Sequence, residues 1–206
     1  TSPEALPVIR NTLVISGLRI LFGFPAPIIL AILLNELKNR KFKRVAQTIS
    51  YLPYFVSWVV VASFVFMLFS YEGLVNEVLI RLKIVDNPLP FLTNGRNFWF
   101  IFTAVNIWKG VGWSSIIYLS AMTAIDDELY QAGKVDGLNR FGLIWHITLP
   151  GIATTVVLML ILEIGGILNA GFEQQLLIGT EVTRPYHEVL DTYAYKYGIK
   201  MGRYSY

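Results

Sequence analysis

The side chains able to do chemistry in this chain are few, and several sit in apolar company. Arg19, Lys109 and Glu163 each interrupt a long apolar run. An ionised group deep in hydrocarbon costs a few kcal/mol, so each must face protein or water. Lys109 lies 13 residues beyond Arg96, and Glu163 lies 13 beyond Pro150. On helices running in opposite directions both would reach about 20 Å inward at ~1.5 Å per residue, so they could meet. Two readings stand: an ion pair locking two helices, or a charged lining for a polar pathway. Asn106, Trp108, Trp113 and Tyr118 gather in the same region. Aromatic faces and amides suit sugar rings, whose apolar C–H faces are edged by hydroxyls, but such aromatics also fill interface belts and cores. Absences narrow the chemistry further. There is no cysteine and there are only two histidines, His146 and His187, so thiolate chemistry is excluded and no metal site is expected. No Gly-rich loop ends in Lys-Ser/Thr, the usual cradle for nucleotide phosphates.

Composition says what kind of element must hold these residues. Hydrophobic residues make up 54% of the 206, charged residues 15%, and mean hydropathy is +0.54. A soluble domain carries about 25% charge, and disordered chains are polar and poor in aromatics. The formal net charge of +3 is too small to argue for nucleic acid. The expected fold class is all-α: a polytopic transmembrane helical bundle, one domain over residues 1–206. A spanning helix needs about 20 mostly apolar residues. Four runs qualify, at about 9–35, 50–70, 97–122 and 149–170, and no charge at all falls between 45 and 71. Gly110, Gly112, Gly165 and Gly166 suit close helix packing. Lys38, Arg40, Lys41, Lys43 and Arg44 cluster in one short loop, which places that loop in the cytoplasm. Alternation then puts 1–10, 71–96 and 173–206 outside and 123–148 inside. The opening Thr1-Ser-Pro-Glu-Ala-Leu-Pro7 is not a signal peptide and lacks methionine, so the chain reads as an excerpt of something longer.

The loop between the third and fourth runs is the most informative stretch. Asp126 or Asp127 can cap a helix, and acidic residues in a first turn complement its dipole. Leu129, Ala132 and Val135 fall at helical spacing. Asp136-Gly137 ends the helix, because glycine takes the left-handed conformation readily. Phe141, Ile144 and Ile147 then recur every three residues, and Leu149-Pro150 opens the next span. On pattern alone this is a short helix lying across the membrane surface, either an anchor in the headgroups or a docking element.

The same stretch resembles the signature loop of the inner-membrane permease subunits of binding-protein-dependent ABC importers. That pattern runs Glu-Ala-Ala, two residues, Asp-Gly-Ala, then Phe, Ile and Leu-Pro at fixed distances. Ala132, Asp136, Gly137, Phe141, Ile147, Leu149 and Pro150 match it. Gln131 stands in place of the glutamate, Gly133 in place of the second alanine and Leu138 in place of the third. The glutamine removes a charge, so an ion pair there is in doubt. Asn11-Thr-Leu, Asn35-Glu-Leu, Arg44-Val-Ala-Gln-Thr, Tyr51-Leu-Pro-Tyr-Phe-Val-Ser-Trp58, Trp108-Lys-Gly-Val-Gly-Trp113, Ile116-Ile-Tyr-Leu119 and Phe172-Glu-Gln-Gln-Leu-Leu177 resemble its polysaccharide and oligosaccharide branch.

The resemblance implies a type I importer permease fold of six spans, of which this chain would lack the first and last. It implies that residues 126–138, with Glu128, Gln131, Ala132, Gly133, Asp136 and Gly137, form a coupling helix. That helix would sit in a groove of a cytoplasmic ATP-binding cassette subunit, with Phe141, Leu149 and Pro150 completing the motif. ATP and magnesium would be held by those partner subunits, this chain binding no cofactor and doing no catalysis of its own. A second homologous permease and an extracytoplasmic solute-binding protein would complete the assembly in the bacterial plasma membrane. Asn106, Trp108, Lys109, Trp113, Tyr118 and Glu163 would then be candidates for contact with a sugar, Lys109 with an anionic one. Two other classes compete. An intramembrane enzyme needs a convergent catalytic set, yet no aspartate falls inside any run. A channel or secondary transporter would use broken helices, for which Pro25-Ala-Pro27 or Gly165-Gly166 could serve, but it needs no docking loop.

Overall fold

A computed structural model describes residues 5–202. Residues 1–4 and 203–206, at the ends of the segments expected outside the membrane, lie outside the described residues. Every regular element among the described residues is helical. In chain order they are α1 (Ala5–Leu18), α2 (Pro25–Asn35), α3 (Arg40–Tyr51), α4 (Trp58–Phe69), α5 (Leu74–Arg81), α6 (Gly95–Thr123), α7 (Asp127–Val135), α8 (Arg140–Leu143), α9 (Leu149–Gly151), α10 (Ala153–Gly165), α11 (Phe172–Ile178), α12 (Arg184–His187) and α13 (Leu190–Tyr193).

Prolines explain the interruptions. A proline ring strikes the carbonyl four residues back and offers no N–H; a π turn widens the ladder and relieves both problems. Such turns stand at Arg19–Gly23, just before Pro25, and at Ile144–Thr148, just before Pro150. Beyond Pro150 the chain bends by 61° between Arg140–Gly151 and Ala153–Gly165, near the start of the run expected as a span at 149–170. The charge-free run 45–71 is also divided. α3 ends at Tyr51, a 3-10 turn carrying Pro53 occupies Leu52–Phe55, and Ser57 starts α4 afresh by accepting the Val60 N–H at 3.4 Å. By length and composition Ala5–Asn35 and Trp58–Arg81 can cross a membrane, as can a third stretch if the bent pair is one span. The remaining run forms α6, 29 residues and about 44 Å long, diluted by Asn97, Asn106, Lys109, Ser114, Ser115 and Ser120.

The chain divides into two compact units. One comprises the residues up to Arg19, Val56–Asn106 and the residues from Gly166 onward. Its core joins Ile15, Val61, Val65, Phe98, Phe102, Ile178 and Val189. Buried polar residues of α1 hold its C-terminal part: Asn11 donates to the carbonyls of Pro185 at 2.9 Å and Glu188 at 3.0 Å, and Thr12 accepts the Leu190 N–H at 3.0 Å. His187 lies beside Phe98 with its Nδ1 3.3 Å from the Thr183 hydroxyl. Burial holds its pKa below the ordinary histidine value.

The other unit comprises Ile20–Phe55 and Ile107–Gly165. Its core is Ala31, Leu34, Tyr118, Leu119, Met122 and Ile152. A Cβ on Gly112 would collide with the Ser50 carbonyl and come within 2.9 Å of the Tyr51 nitrogen, whereas Gly110 and Gly165 have nothing within 4 Å. Of these three glycines, then, only Gly112 permits a close approach of helices.

Two outcomes are expected. Gly112→Ala should lower the thermal unfolding temperature of the detergent-solubilised protein, overpacking costing about 1–3 kcal/mol. Gly110→Ala should leave it unchanged or raise it, since alanine is the better helix former by about 1 kcal/mol. For His187, the unfolded chain binds more protons between the lowered folded pKa and the ordinary value near 6.5. Stability is therefore full above about pH 6.5 and declines below it, and His187→Gln should flatten that acid-side decline in a melting-temperature series.

Candidate functional site

Local capping builds the loop expected at 123–148. The Asp126 carboxylate accepts the Glu128 N–H at 2.9 Å, and Asp127 and Glu128 occupy the first turn of α7 with Lys134 in its last, all favourable to the helix dipole. The helix ends at Gly137, whose φ is +82°. The Gly137 N–H donates to the Lys134 carbonyl at 3.1 Å and the Leu138 N–H to the Gly133 carbonyl at 2.9 Å, the paired bonds of a Schellman ending. Asn139 then caps α8 by accepting the Gly142 N–H at 2.8 Å.

One side of α7 is fastened to the segment 143–151. Gly133 is buried, and a Cβ there would fall 2.8 Å from Ile147 Cδ1 and 2.9 Å from Leu143 Cδ2. The methyl ends of those two side chains thus fill the space an alanine would take. The Tyr130 hydroxyl bonds to the Thr148 hydroxyl at 3.0 Å. Ile125 lies on Gly151, where a Cβ would sit 2.6 Å from its Cδ1. The rest of the loop is bare. Glu128, Gln131, Ala132 and Asp136 are exposed, Leu149 is half-buried and Pro150 exposed. Val135 is 87% and Phe141 83% exposed. Large apolar side chains left uncovered on a polar loop suit contact with another protein.

The pathway candidates separate into different settings. Lys109 is 8% exposed; its ammonium donates to the Tyr54 carbonyl at 2.6 Å and lies 5.2 Å from the centre of that ring. Trp113, one turn on, stacks on Tyr54 at 4.7 Å and meets Phe55 edge-on at 5.7 Å. Lys109 and Trp113 therefore grip the 3-10 turn at Leu52–Phe55 together. Tyr118 is buried in the core of its unit. Asn106 donates to the Phe102 carbonyl at 2.8 Å. Trp108 is exposed, and Glu163 is half-buried on α10. Sequence reasoning missed the Tyr130–Thr148 bond and the Tyr54 cluster, for which no short motif stands; the Asn139 cap had one, an amide just before a helical piece.

A family model described as the binding-protein-dependent transport system inner membrane component matches residues 23–199. The chain belongs to that family. Protein LplB of Bacillus subtilis (strain 168) is 42% identical over 206 residues, covering all of this chain and 64% of the relative. The polygalacturonan/rhamnogalacturonan transport system permease protein YteP of the same organism is 42% identical over 207 residues, with the same coverages. This chain thus spans about 64% of the length of these curated relatives. Among solved structures, a bacterial alginate ABC transporter in complex with alginate pentasaccharide-bound periplasmic protein matches with TM-score 0.94 and 40% identity, over 99% of this chain and 70% of that one. The fold is accordingly the all-α permease fold of ABC importers, and the chain is a multi-pass segment of a bacterial inner-membrane transport component.

Gly137→Ala places a side chain in the left-handed region at a cost of about 1–2 kcal/mol, and Tyr130→Phe removes a hydrogen bond worth roughly 1 kcal/mol. Both should speed hydrogen exchange at the amides of α7, Gly137→Ala the more strongly. Unchanged exchange in both would contradict the fastening described.

Proposed function

We propose that this chain belongs to the permease subunit of an ATP-driven ABC importer that carries an oligosaccharide or polysaccharide fragment across the membrane. The observation that carries the reading is α7: a short helix capped at both ends, fastened on one side to the segment 143–148 and bare on the other. In that reading its bare face sits in a groove of a separate ATP-binding cassette subunit, which holds ATP and magnesium and performs the hydrolysis. A second, homologous permease completes the pathway, and an extracytoplasmic solute-binding protein delivers the sugar. The names of the relatives support the sugar class, since YteP is named for polygalacturonan and rhamnogalacturonan and the matched structure for alginate. Among the pathway candidates, Trp108 and Trp113 are exposed, Trp113 with one face stacked on Tyr54, while Lys109 and Tyr118 serve packing.

Asp136 provides a discriminating test. It is exposed at the C-terminal end of α7, where a negative charge opposes the helix dipole and a positive one is favoured. Asp136→Lys should therefore leave α7 folded or firmer, yet uncouple ATP hydrolysis from uptake in proteoliposomes containing the full set of subunits. Gly137→Pro, which cannot adopt φ +82°, should uncouple through loss of the helix end. Intact coupling in both variants, or uptake that persists without any ATPase subunit, would overturn the importer reading in favour of a channel or secondary transporter.

A further inference from the structure

The π turns before Pro25 and Pro150 answer to those prolines. Another π turn, Ala194–Lys200, follows directly on α13, and residues 194–206 contain no proline to require it. A π turn puts an extra residue into the ladder and re-aims the side chains it carries, and such turns recur at functional sites. Tyr195 and Ile199 of this turn border a cavity of about 920 Å³, together with Asn169, Phe172 and Asp191. Arg19, the first residue of the π turn before Pro25, forms another part of the same wall. All of these residues belong to one compact unit, and the volume falls in the roughly 300–1,000 Å³ range of small-molecule sites.

The polar groups on this wall are of complementary kinds. The Arg19 guanidinium carries donors only and is anchored on the Asn169 and Gly166 carbonyls at 2.7 and 3.0 Å. The ionised Asp191 carboxylate carries acceptors only. Its Oδ2 takes the Ala170 N–H at 3.2 Å, and its Oδ1 has no hydrogen-bond partner among the described residues. Nor have the Asn169 side-chain amide and the Tyr195 hydroxyl, each able to donate and to accept. The Phe172 and Tyr195 rings meet edge-on, 5.1 Å apart at 75°, which sets two aromatic faces at an angle.

This combination selects its ligand. A small anion would meet Asp191 and a small cation Arg19, while an apolar molecule would leave the polar groups unpaired at a cost. A sugar hydroxyl both donates and accepts, so neighbouring hydroxyls on one ring can serve Arg19 and Asp191 together. The apolar C–H face of the same ring suits the aromatic side chains. We propose that this cavity is a saccharide-binding site, with Arg19, Asn169, Asp191 and the Tyr195 hydroxyl on the sugar hydroxyls and the Phe172 and Tyr195 rings on its C–H faces. Such a site presupposes the sugar-importer reading and is additional to the aromatic candidates Trp108, Trp113 and Tyr118, which lie in the other unit.

The test uses the full-length permease assembled with its partner subunits in nanodiscs without ATP, titrated with trigalacturonate and, separately, maltotriose, an acidic and a neutral trisaccharide. Saturation-transfer NMR should show transfer from protein to the ring protons of at least one of them. Asn169→Ala and Tyr195→Phe remove groups that hydrogen-bond nothing else among the described residues, so the fold should survive both. Each should weaken binding roughly three- to tenfold, the loss of one hydrogen bond. This sequence has no cysteine, so Ile199→Cys in a cysteine-free background places one thiol on the wall. That thiol should react with a water-borne maleimide, and trisaccharide at twice its dissociation constant should slow the reaction about threefold. Binding of neither trisaccharide overturns the proposal, as does binding that both substitutions leave unchanged. A thiol shielded before any sugar is added also overturns it, because protein then fills the cavity. Neither readout requires ATP or transport, so failure here is distinct from failure of the importer reading.

Discussion

Backbone carbonyls released at a helix break cannot turn to water inside a membrane, and each must find a donor or cost several kcal/mol. This protein breaks its helices repeatedly, and several of its polar side chains are placed where the breaks are. Arg19 donates to the carbonyls of Asn169 at 2.7 Å and Gly166 at 3.0 Å, just past the end of α10. Ser16 donates to Ile167 in the same turn. Asn76 gives its amide hydrogens to the carbonyls of Ser70, Tyr71 and Leu89 and takes the Leu89 N–H at 2.8 Å. Lys109 closes the Tyr54 carbonyl. Two of the residues most costly in hydrocarbon, Arg19 and Lys109, thus help a chain of broken helices keep an irregular course through it.

That rule sharpens what an intramembrane charge means here. Arg19 and Lys109 stand out in the sequence as candidates for an ion pair or a polar lining. Their observed partners include backbone oxygens, a third role that apolar runs alone do not suggest. A guanidinium with five fixed donors can satisfy two carbonyls at once, and an ammonium over an aromatic ring gains cation–π attraction as well.

The loop around α7 was the most legible part of the sequence because its determinants are local. Asp126, Asp136-Gly137 and Asn139 act on amides two to five residues away, so their types and spacing are enough. The division of the 45–71 run was less visible, since the absence of charge masks Pro53 and Ser57, which decide it. Contacts across long chain separations left no trace at all. Asn11 and Thr12 meet residues more than 170 positions on, and nothing at either site names the other. Tyr118 shows the same limit: an aromatic on a helix reads equally as a sugar platform or as core, and only packing assigns it to the core. Gly133, where the family pattern has alanine, is understood only once Leu143 and Ile147 are seen filling the space.

In the importer reading α7 serves as a handle. Its inner side is joined through Tyr130 and Gly133 to Leu143, Ile147 and Thr148 just before α9, so a displacement of α7 must carry that segment with it, ahead of the 61° bend leading to α10. Its outer side carries Val135, too apolar and too bare to be left in water. Site-specific cross-linking tests this most directly: a Val135→Cys variant in the reconstituted transporter, treated with a short thiol-to-amine reagent. The predicted result is a cross-link to the ATPase subunit, with the thiol protected from water-borne reagents once the subunits assemble. A thiol that remains fully water-reactive and uncross-linked in an assembly that transports would contradict the handle role.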